Sequence, residues 1–423
     1  MIAWVMWGVP AVLFFIAFFH RVAPGVMARE LMDEFRATGT LIGLLSATYF
    51  YSYAALMIPA GLLIDAFGVR YVVAAGGTIM GSGAVAMGLA ASTPLLFAGR
   101  LAVGLGATVT FIGALKIAAT WFAPSRFAFL SAVTATVGIL GSVAATVPLA
   151  WAVALVGWRG ALVAVGAVTL AGSALCFAVV RDRPRHAPAD LGRALALRDV
   201  LRGTRAVLAN RHTWPPFLVF FCLYASWGNL MLWIIPCLRD IYGLPTPSAA
   251  AYAMATPLAL LVAAPLTGFV SDRVLRRRKL PYTLLTAGQL ACWILLVGTL
   301  GVLPLRSVYA ILFVLGVVGG AFVLTWPIGR EVNPPHLAGV AVAVVNLGGF
   351  IGAAMTQGPL GAILDARWAG AMAGGARVYP LEAYRALFAV CGLFVLAAVL
   401  LSLLVRETRG ENVYAEITAA RGR

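Results

Sequence analysis

Long apolar runs separated by short polar breaks occupy the chain from end to end. A run of ~20 such residues is what a helix needs to cross the hydrocarbon core of a bilayer. Such runs lie near residues 4–27, 41–64, 71–91, 95–118, 127–156 and 160–180, then near 216–238, 249–271, 281–303, 307–328, 337–364 and 386–405. Glycine and proline recur inside them, which bilayer helices tolerate because neighbouring helices re-satisfy the freed backbone groups. The pattern predicts an all-α polytopic membrane protein with twelve transmembrane helices. The first run has no basic leader and no cleavage signal before His20 and Arg21, so it reads as a span rather than a signal peptide.

The widest polar interval, residues 181–213, carries Arg181, Arg183, Arg185, Arg193, Arg198, Arg202, Arg205 and Arg211 and divides the spans six and six. The expected organisation is an N-terminal six-helix bundle at 1–180, a basic cytoplasmic linker at 181–213, a C-terminal six-helix bundle at 214–405 and a cytoplasmic tail at 406–423. Charge then fixes orientation. The formal net charge of +16 would suggest nucleic acid in a soluble protein, but here the basic residues fill the breaks between apolar runs. Anionic lipid and topology account for them, and no nucleic-acid partner is expected. With both termini in the cytoplasm, about 20 of the 31 basic residues fall inside and about 8 outside, as a bacterial inner-membrane protein requires. The five cysteines, Cys176, Cys222, Cys237, Cys292 and Cys391, all lie in apolar runs without paired spacing, and read as small hydrophobes rather than metal ligands or disulfides.

The two halves repeat each other. Gly61 and Asp65 close the second span, Gly268 and Asp272 close the eighth, and both residues are offset by 207 positions. Parallel six-span repeats around a midplane site are a transporter architecture, so the two bundles are expected to be pseudo-symmetric. An aspartate at a helix terminus can pair with arginine or with the positive end of a neighbouring helix, and glycine lets helix ends approach; such a contact can form in one conformation and break in another.

The segment Gly61-x-x-x-Asp65-x-x-Gly68-x-Arg70 resembles the signature loop between spans 2 and 3 of the major facilitator superfamily. Gly268-x-x-x-Asp272-Arg273, followed by Arg276, Arg277, Arg278 and Lys279, resembles its second copy. Arg100-x-x-x-Gly104-x-Gly106 is similar to the span-4 motif, and Gly157-Trp158-Arg159 to the turn that opens span 6. Ala66 departs from the family, which usually has a basic residue there. The resemblance covers the whole chain and implies gating roles for Gly61, Asp65, Gly68, Arg70, Arg100, Gly268, Asp272 and Arg273. Phe18-Phe19-His20-Arg21 looks like the basic first-span position of organophosphate exchangers and anion:cation symporters. Lys116-x-x-x-x-Trp121-Phe122-x-Pro124-x-Arg126 resembles the end of span 4 in the symporters, although their span-4 acid is replaced by Ala107. His20 to Pro24 and Tyr49 to Tyr51 also look like bacterial amino-acid permeases of intracellular pathogens.

Ionisable groups at membrane depth are expensive and mark sites. All fifteen carboxylates fall in loops or at span ends, so the intramembrane charge is basic: His20, Arg21, Arg100 and Lys116. The Arg21 guanidinium suits a carboxylate or phosphate, and its span lines the central cavity in the family it resembles. His20 is the one group within a span whose ordinary pKa lies near physiological pH, which makes it the proton-carrier candidate. Arg100 and Lys116 stand sixteen residues apart, on nearly opposite faces and ~24 Å apart along a helix, so they cannot share one site. Shifting Arg21 by 207 lands on Gly228, beside Tyr224, Trp227, Asn229 and Trp233. Tyr49, Tyr53, Trp326, Asn346 and Gln357 complete the candidate substrate contacts. One cationic wall facing an aromatic, amide-bearing one suits a small organic anion.

No phosphate-binding glycine loop is present, so neither ATP drive nor an enzyme activity is expected, and no cofactor or metal. The reading is a monomeric secondary transporter of a small organic anion, carboxylate-bearing, with a proton as co-substrate. Alternatives are an amino-acid or short-peptide permease, a drug or metabolite efflux carrier, and a membrane sensor or assembly partner that does not transport.

Overall fold

The computed structural model describes residues 2–123, 126–184 and 197–419. Pro124, Arg185 and Arg193, used above, lie outside the described residues, as does Arg423 at the end of the chain. Within them the chain is helical almost throughout, with eleven helices long and apolar enough to cross a membrane and one shorter apolar helix.

Internal packing divides the chain into two units. The first comprises Met1–Leu195, Leu244–Ala251 and Met372–Arg377; the second comprises Ala196–Gly243, Tyr252–Ala371 and Val378–Arg423. Unit 1 contains α1 (Ile2–Phe35), α2 (Gly39–Phe67), α3 (Val69–Gly88), α4 (Thr93–Trp121), α5 (Phe127–Ala144) and α6 (Val147–Val179). Thr38 caps α2 by accepting the Leu41 N–H, and proline stands in the first turns of α4 and α6, where its missing N–H costs nothing. The run expected as one span at 127–156 is interrupted at Ala145 and Thr146. The helical run of α6 is itself two segments joined at Gly157, whose φ of 71° only glycine adopts at no steric cost. The break falls where the Gly157-Trp158-Arg159 turn is expected. It is clamped from α1, since Glu34 accepts the Trp158 indole N–H at 2.7 Å and the Arg159 Nε at 2.8 Å.

Unit 2 carries α8 (Trp214–Tyr242), most of α9 (Thr246–Phe269), α10 (Lys279–Thr299), α11 (Leu305–Gly319), α12 (Thr325–Glu331), α13 (Ala338–Ala366) and α14 (Leu381–Ser402). A tight turn over Gly320–Leu324 joins α11 and α12 into one interrupted span. The neighbours repeat: α1 packs on α5 and α6 as α8 does on α13 and α14, and α3 packs on α4 and α6 as α10 does on α11 and α14. Small residues make those contacts. A Cβ at Gly76 would stand 2.9 Å from the Gly106 carbonyl, and one at Gly83 would stand 2.6 Å from the Gly99 carbonyl, so α3 and α4 touch backbone to backbone.

Three elements have no counterpart in the hydropathy pattern. Helix α7 (Leu197–Ala209) lies in the interval expected as linker and buries Val207 against Ala341 and Val344 of α13. A two-stranded hairpin, β1 (Met372–Ala373) with antiparallel β2 (Ala376–Arg377), packs on α1, where Asp33 accepts the Gly375 N–H at 2.6 Å. The segment expected as a tail ends in α15 (Tyr414–Ala419), with Val413 and Ile417 buried against Val332.

Candidate functional site

In unit 1 two of the intramembrane basic residues, Arg21 and Arg100, converge on one aromatic ring, that of Tyr49. Arg21 is buried in α1, its guanidinium 3.8 Å from the centre of the Phe18 ring and 5.7 and 5.5 Å from those of Tyr49 and Tyr53. Tyr49 and Tyr53 stand one turn apart on α2, hence on one face. Tyr49 donates its hydroxyl to the Ala17 carbonyl at 3.0 Å, which fixes the ring against α1. Arg100 approaches the same ring from α4, at 4.9 Å. Guanidinium over a desolvated aromatic face is an attractive arrangement, which favours the charge in this pocket.

Arg100 is held by a specific consequence of Pro24. A proline inside a helix removes the hydrogen bond to the carbonyl four residues earlier, which here belongs to His20. Arg100 Nη1 donates to that carbonyl at 2.6 Å. The span-4 glycines bring it within reach. A Cβ at Gly104 would lie 1.9 Å from Ser52 Oγ and 2.7 Å from the Tyr49 carbonyl, and one at Gly106 would lie 2.2 Å from the Gly76 carbonyl. Arg100 is therefore a brace across α1, α2 and α4. His20 is fully enclosed, and its ring Nε2 has no hydrogen-bond partner among the described residues.

Lys116 stands apart from this pocket. Its Nζ meets Asp65 at 2.7 Å, with both side chains about a third exposed. Asp65 thus pairs with a lysine two helices on, not with an arginine of its own loop. Arg70 instead sends its Nε to the Phe177 carbonyl at 2.6 Å and its backbone N–H to Asp182 at 3.0 Å. Gly68 has a φ of 85°, and a Cβ there would fall 2.5 Å from the Asp182 carboxylate. That glycine is required twice over. Gly61 and Gly268 are a correction to the sequence reading, since a Cβ at either meets nothing within 4 Å and neither is a close-packing position.

Unit 2 repeats the frame with different charges. Asp272 pairs with Arg278 rather than with Arg273, which is exposed. Arg278 is buried and also grips Glu331 through Nη2 at 3.1 Å and Nε at 3.3 Å. Burial works against its charge, but the Glu331 and Asp272 carboxylates outweigh it and raise its pKa. Glu331 further accepts the Thr408 hydroxyl. Glu407 accepts the backbone N–H of Arg278 at 2.8 Å and of Lys279 at 3.2 Å at the start of α10. Burial pushes its carboxyl up, yet those N–H groups, with Thr408 and Arg409, hold it below the usual carboxylate range. Asp182, Glu331 and Glu407 were not singled out by sequence, and Arg278 was named there only within the basic run after Asp272. The signal that finds two of them is the repeat of Val180-Arg181-Asp182 as Val405-Arg406-Glu407 after each half's last span.

The amide candidates form pairs among α8, α12 and α13. Asn229 donates to Thr356 Oγ1 at 3.0 Å and Gln357 to the Gly228 carbonyl at 3.3 Å. Their amide oxygens, and the indole nitrogen of buried Trp233, have no hydrogen-bond partner among the described residues. Trp326 donates to Asn346 Oδ1 at 3.0 Å, so that amide is engaged. Tyr224 stacks on Phe350 with ring centres 5.9 Å apart, and Trp227 is half-buried.

Repeated helical units with guanidinium groups at membrane depth and charge clusters at helix ends define a polytopic membrane transporter. The chain belongs to the Major Facilitator Superfamily, whose family model matches residues 11–357. A probable sulfoacetate transporter, SauU, of Cupriavidus necator is 26% identical, the match covering 64% of this chain and 65% of that protein. The membrane sensor protein UhpC of Escherichia coli is 23% identical over 83% of each chain. Among solved structures, a bacterial homolog of the human lysosomal transporter Spinster, in an inward-facing and unoccupied conformation, superposes with a TM-score of 0.79 at 17% identity, covering 97% of both chains. That likeness is one of fold.

Proposed function

We propose that the chain transports a small organic anion, carboxylate-bearing, by alternating access with proton symport, as a monomer whose termini both lie in the cytoplasm. The observation that carries this reading is the buried Arg21 guanidinium framed by Phe18, Tyr49 and Tyr53. Arg100 braces α1, so Arg21 is the cation assigned to the substrate, binding a carboxylate or sulfonate through its planar fork. Tyr53 and the aromatic faces contact the apolar body. Similarity to a probable sulfoacetate transporter supports an anion of this size. His20 carries the proton.

The test is uptake into proteoliposomes after thermal-shift screening of carboxylates, sulfonates, phosphates and amino acids. Arg21→Ala is expected to abolish the ligand-induced stabilisation and to cut uptake by at least ~10²-fold, the loss of a charge-assisted pair in a desolvated site. Arg21→Ala protein that transports normally overturns the assignment. His20→Gln is expected to remove pH-driven accumulation while sparing exchange, and unchanged pH dependence removes His20 from the scheme. Similarity to a membrane sensor favours one second reading, a receptor that binds without moving its ligand. Binding abolished by Arg21→Ala, with no uptake by the wild type, selects it.

A further inference from the structure

We propose that the outer face of α3 and α6 holds one anionic phospholipid, with its phosphate on Arg70. A groove of ≈ 540 Å³ runs between these helices. Its mouth is cationic and aromatic. The Arg70 guanidinium lies 5.6 Å from the Tyr71 ring centre and 4.9 Å from that of Phe177, and both rings are about half exposed on the surface. Only the Nε of Arg70 is committed, to the Phe177 carbonyl, and among the described residues neither Nη has a hydrogen-bond partner. Asp182, the acid at this end, is held by the Arg70 backbone N–H at the start of α3.

Behind the mouth the floor turns apolar. Alanines at 75 and 174, between the bulkier Tyr71, Phe177 and Leu170, hollow the surface. The two aliphatic hydroxyls of the lining are satisfied internally, Thr78 and Ser173 bonding each other at 2.8 Å and Ser173 also donating to the Ala74 carbonyl. The eight-residue step from Arg70 to Thr78 carries the groove ~12 Å along α3, away from the charged end of the helix and into the hydrocarbon. A charged, aromatic rim at the interface over an apolar trough at membrane depth matches a phospholipid, phosphate at the rim and acyl chain in the trough. A soluble anion would use the rim and leave the trough without purpose. The proposal rests on the chain's membrane character and not on the transported solute.

Native mass spectrometry of the delipidated full chain, titrated with phosphatidylglycerol or phosphatidylcholine, tests it. One phosphatidylglycerol is expected to bind about fivefold more tightly than phosphatidylcholine, the ratio one basic residue gives at an anionic surface. Ala75→Leu with Ala174→Leu fills the trough and is expected to lose the tight lipid without lowering the melting temperature. Arg70→Gln, read in the same titration, is expected to equalise the two lipids and serves if the double variant fails to fold. Glycerol 3-phosphate, which has the phosphate but no acyl chains, is expected not to displace the bound lipid. Equal binding of both lipids by the wild type, retained preference in the filled variant, or displacement by glycerol 3-phosphate would each overturn the assignment.

Discussion

The charge clusters at the ends of α2 and α9 stand on one frame and are built to different strengths. In each unit an acid just past the last span binds the backbone N–H at the start of the third helix, Asp182 to Arg70 and Glu407 to Arg278. In each, a basic side chain of that helix start donates to a carbonyl near the end of the last span, Arg70 to Phe177 and Lys279 to Leu403. The aspartates of the two motifs then diverge. Asp65 has a single lysine partner in partial contact with solvent, whereas Asp272 belongs to a network that includes buried Arg278 and Glu331 and draws in Thr408. A half-exposed ion pair is worth ~0–1 kcal/mol, while removing one member of a buried pair costs ~3–5 kcal/mol. The frame is structural and shared; the strength of the aspartate's ion pair is set separately in each unit. Unit 1 therefore carries the ion pair that is cheap to break, and unit 2 the costly one.

Arg278→Ala attacks the comparison where the effect is largest. It leaves buried Glu331 with the exposed Arg330, 3.8 Å away, in place of Arg278, and a loss of ~3–5 kcal/mol is expected. Scanning fluorimetry in detergent is expected to show a drop of many degrees or failure to fold. Glu331→Gln should partly rescue the double variant, because no carboxylate is then stranded. A variant that melts like the wild type would show the network to be solvated and the contrast between the units false.

Glu407→Gln probes the shared frame instead. Because folding lowers the Glu407 pKa, the folded chain binds fewer protons there than the unfolded one. Its contribution is complete above the ordinary carboxylate pKa of ~4.3 and is lost as pH falls through the lower folded value. The variant is expected to melt a few degrees below the wild type at pH 7, with the gap closing towards pH 3. A gap independent of pH would mean that Glu407 acts by shape and not by charge.

Much of this was legible in the sequence, and the failures share a cause. The spans follow from apolar runs, and Gly157 and the paired aspartates announce themselves by motif. Pro24 implies an orphaned His20 carbonyl, but the partner, Arg100, lies 80 residues away and is brought there only by the packing of α4 at Gly104. Arg278 and Glu331 are separated by 53 positions, and Arg70 and Asp182 by 112. Local reading therefore left the partner of each aspartate open, as an arginine or the positive end of a neighbouring helix. Gly61 and Gly268 mislead in the other direction, being motif glycines that pack against nothing. Helix α7 was missed because its 13 residues are too short and too charged to register as a span.

Lys116→Met gives the smallest effect and the sharpest reading of the difference between the units. Asp65 keeps about a third of its surface in water, so losing the lysine leaves no buried charge. The expected stability change is at most ~1 kcal/mol and shrinks further in 1 M salt, where exposed pairs are screened. Function should respond more than stability, because a latch worth about 1 kcal/mol biases a two-state equilibrium about fivefold. If alternating access uses this contact, Lys116→Met and Asp65→Asn should shift uptake rates in the same direction by a similar factor, and the double variant should add little, since both remove one interaction. Additive effects would separate the two residues and assign Lys116 to the solute's path instead of the latch. A stability loss as large as that of Arg278→Ala would instead place the Asp65 pair in a buried network, and the distinction between the two units would fall.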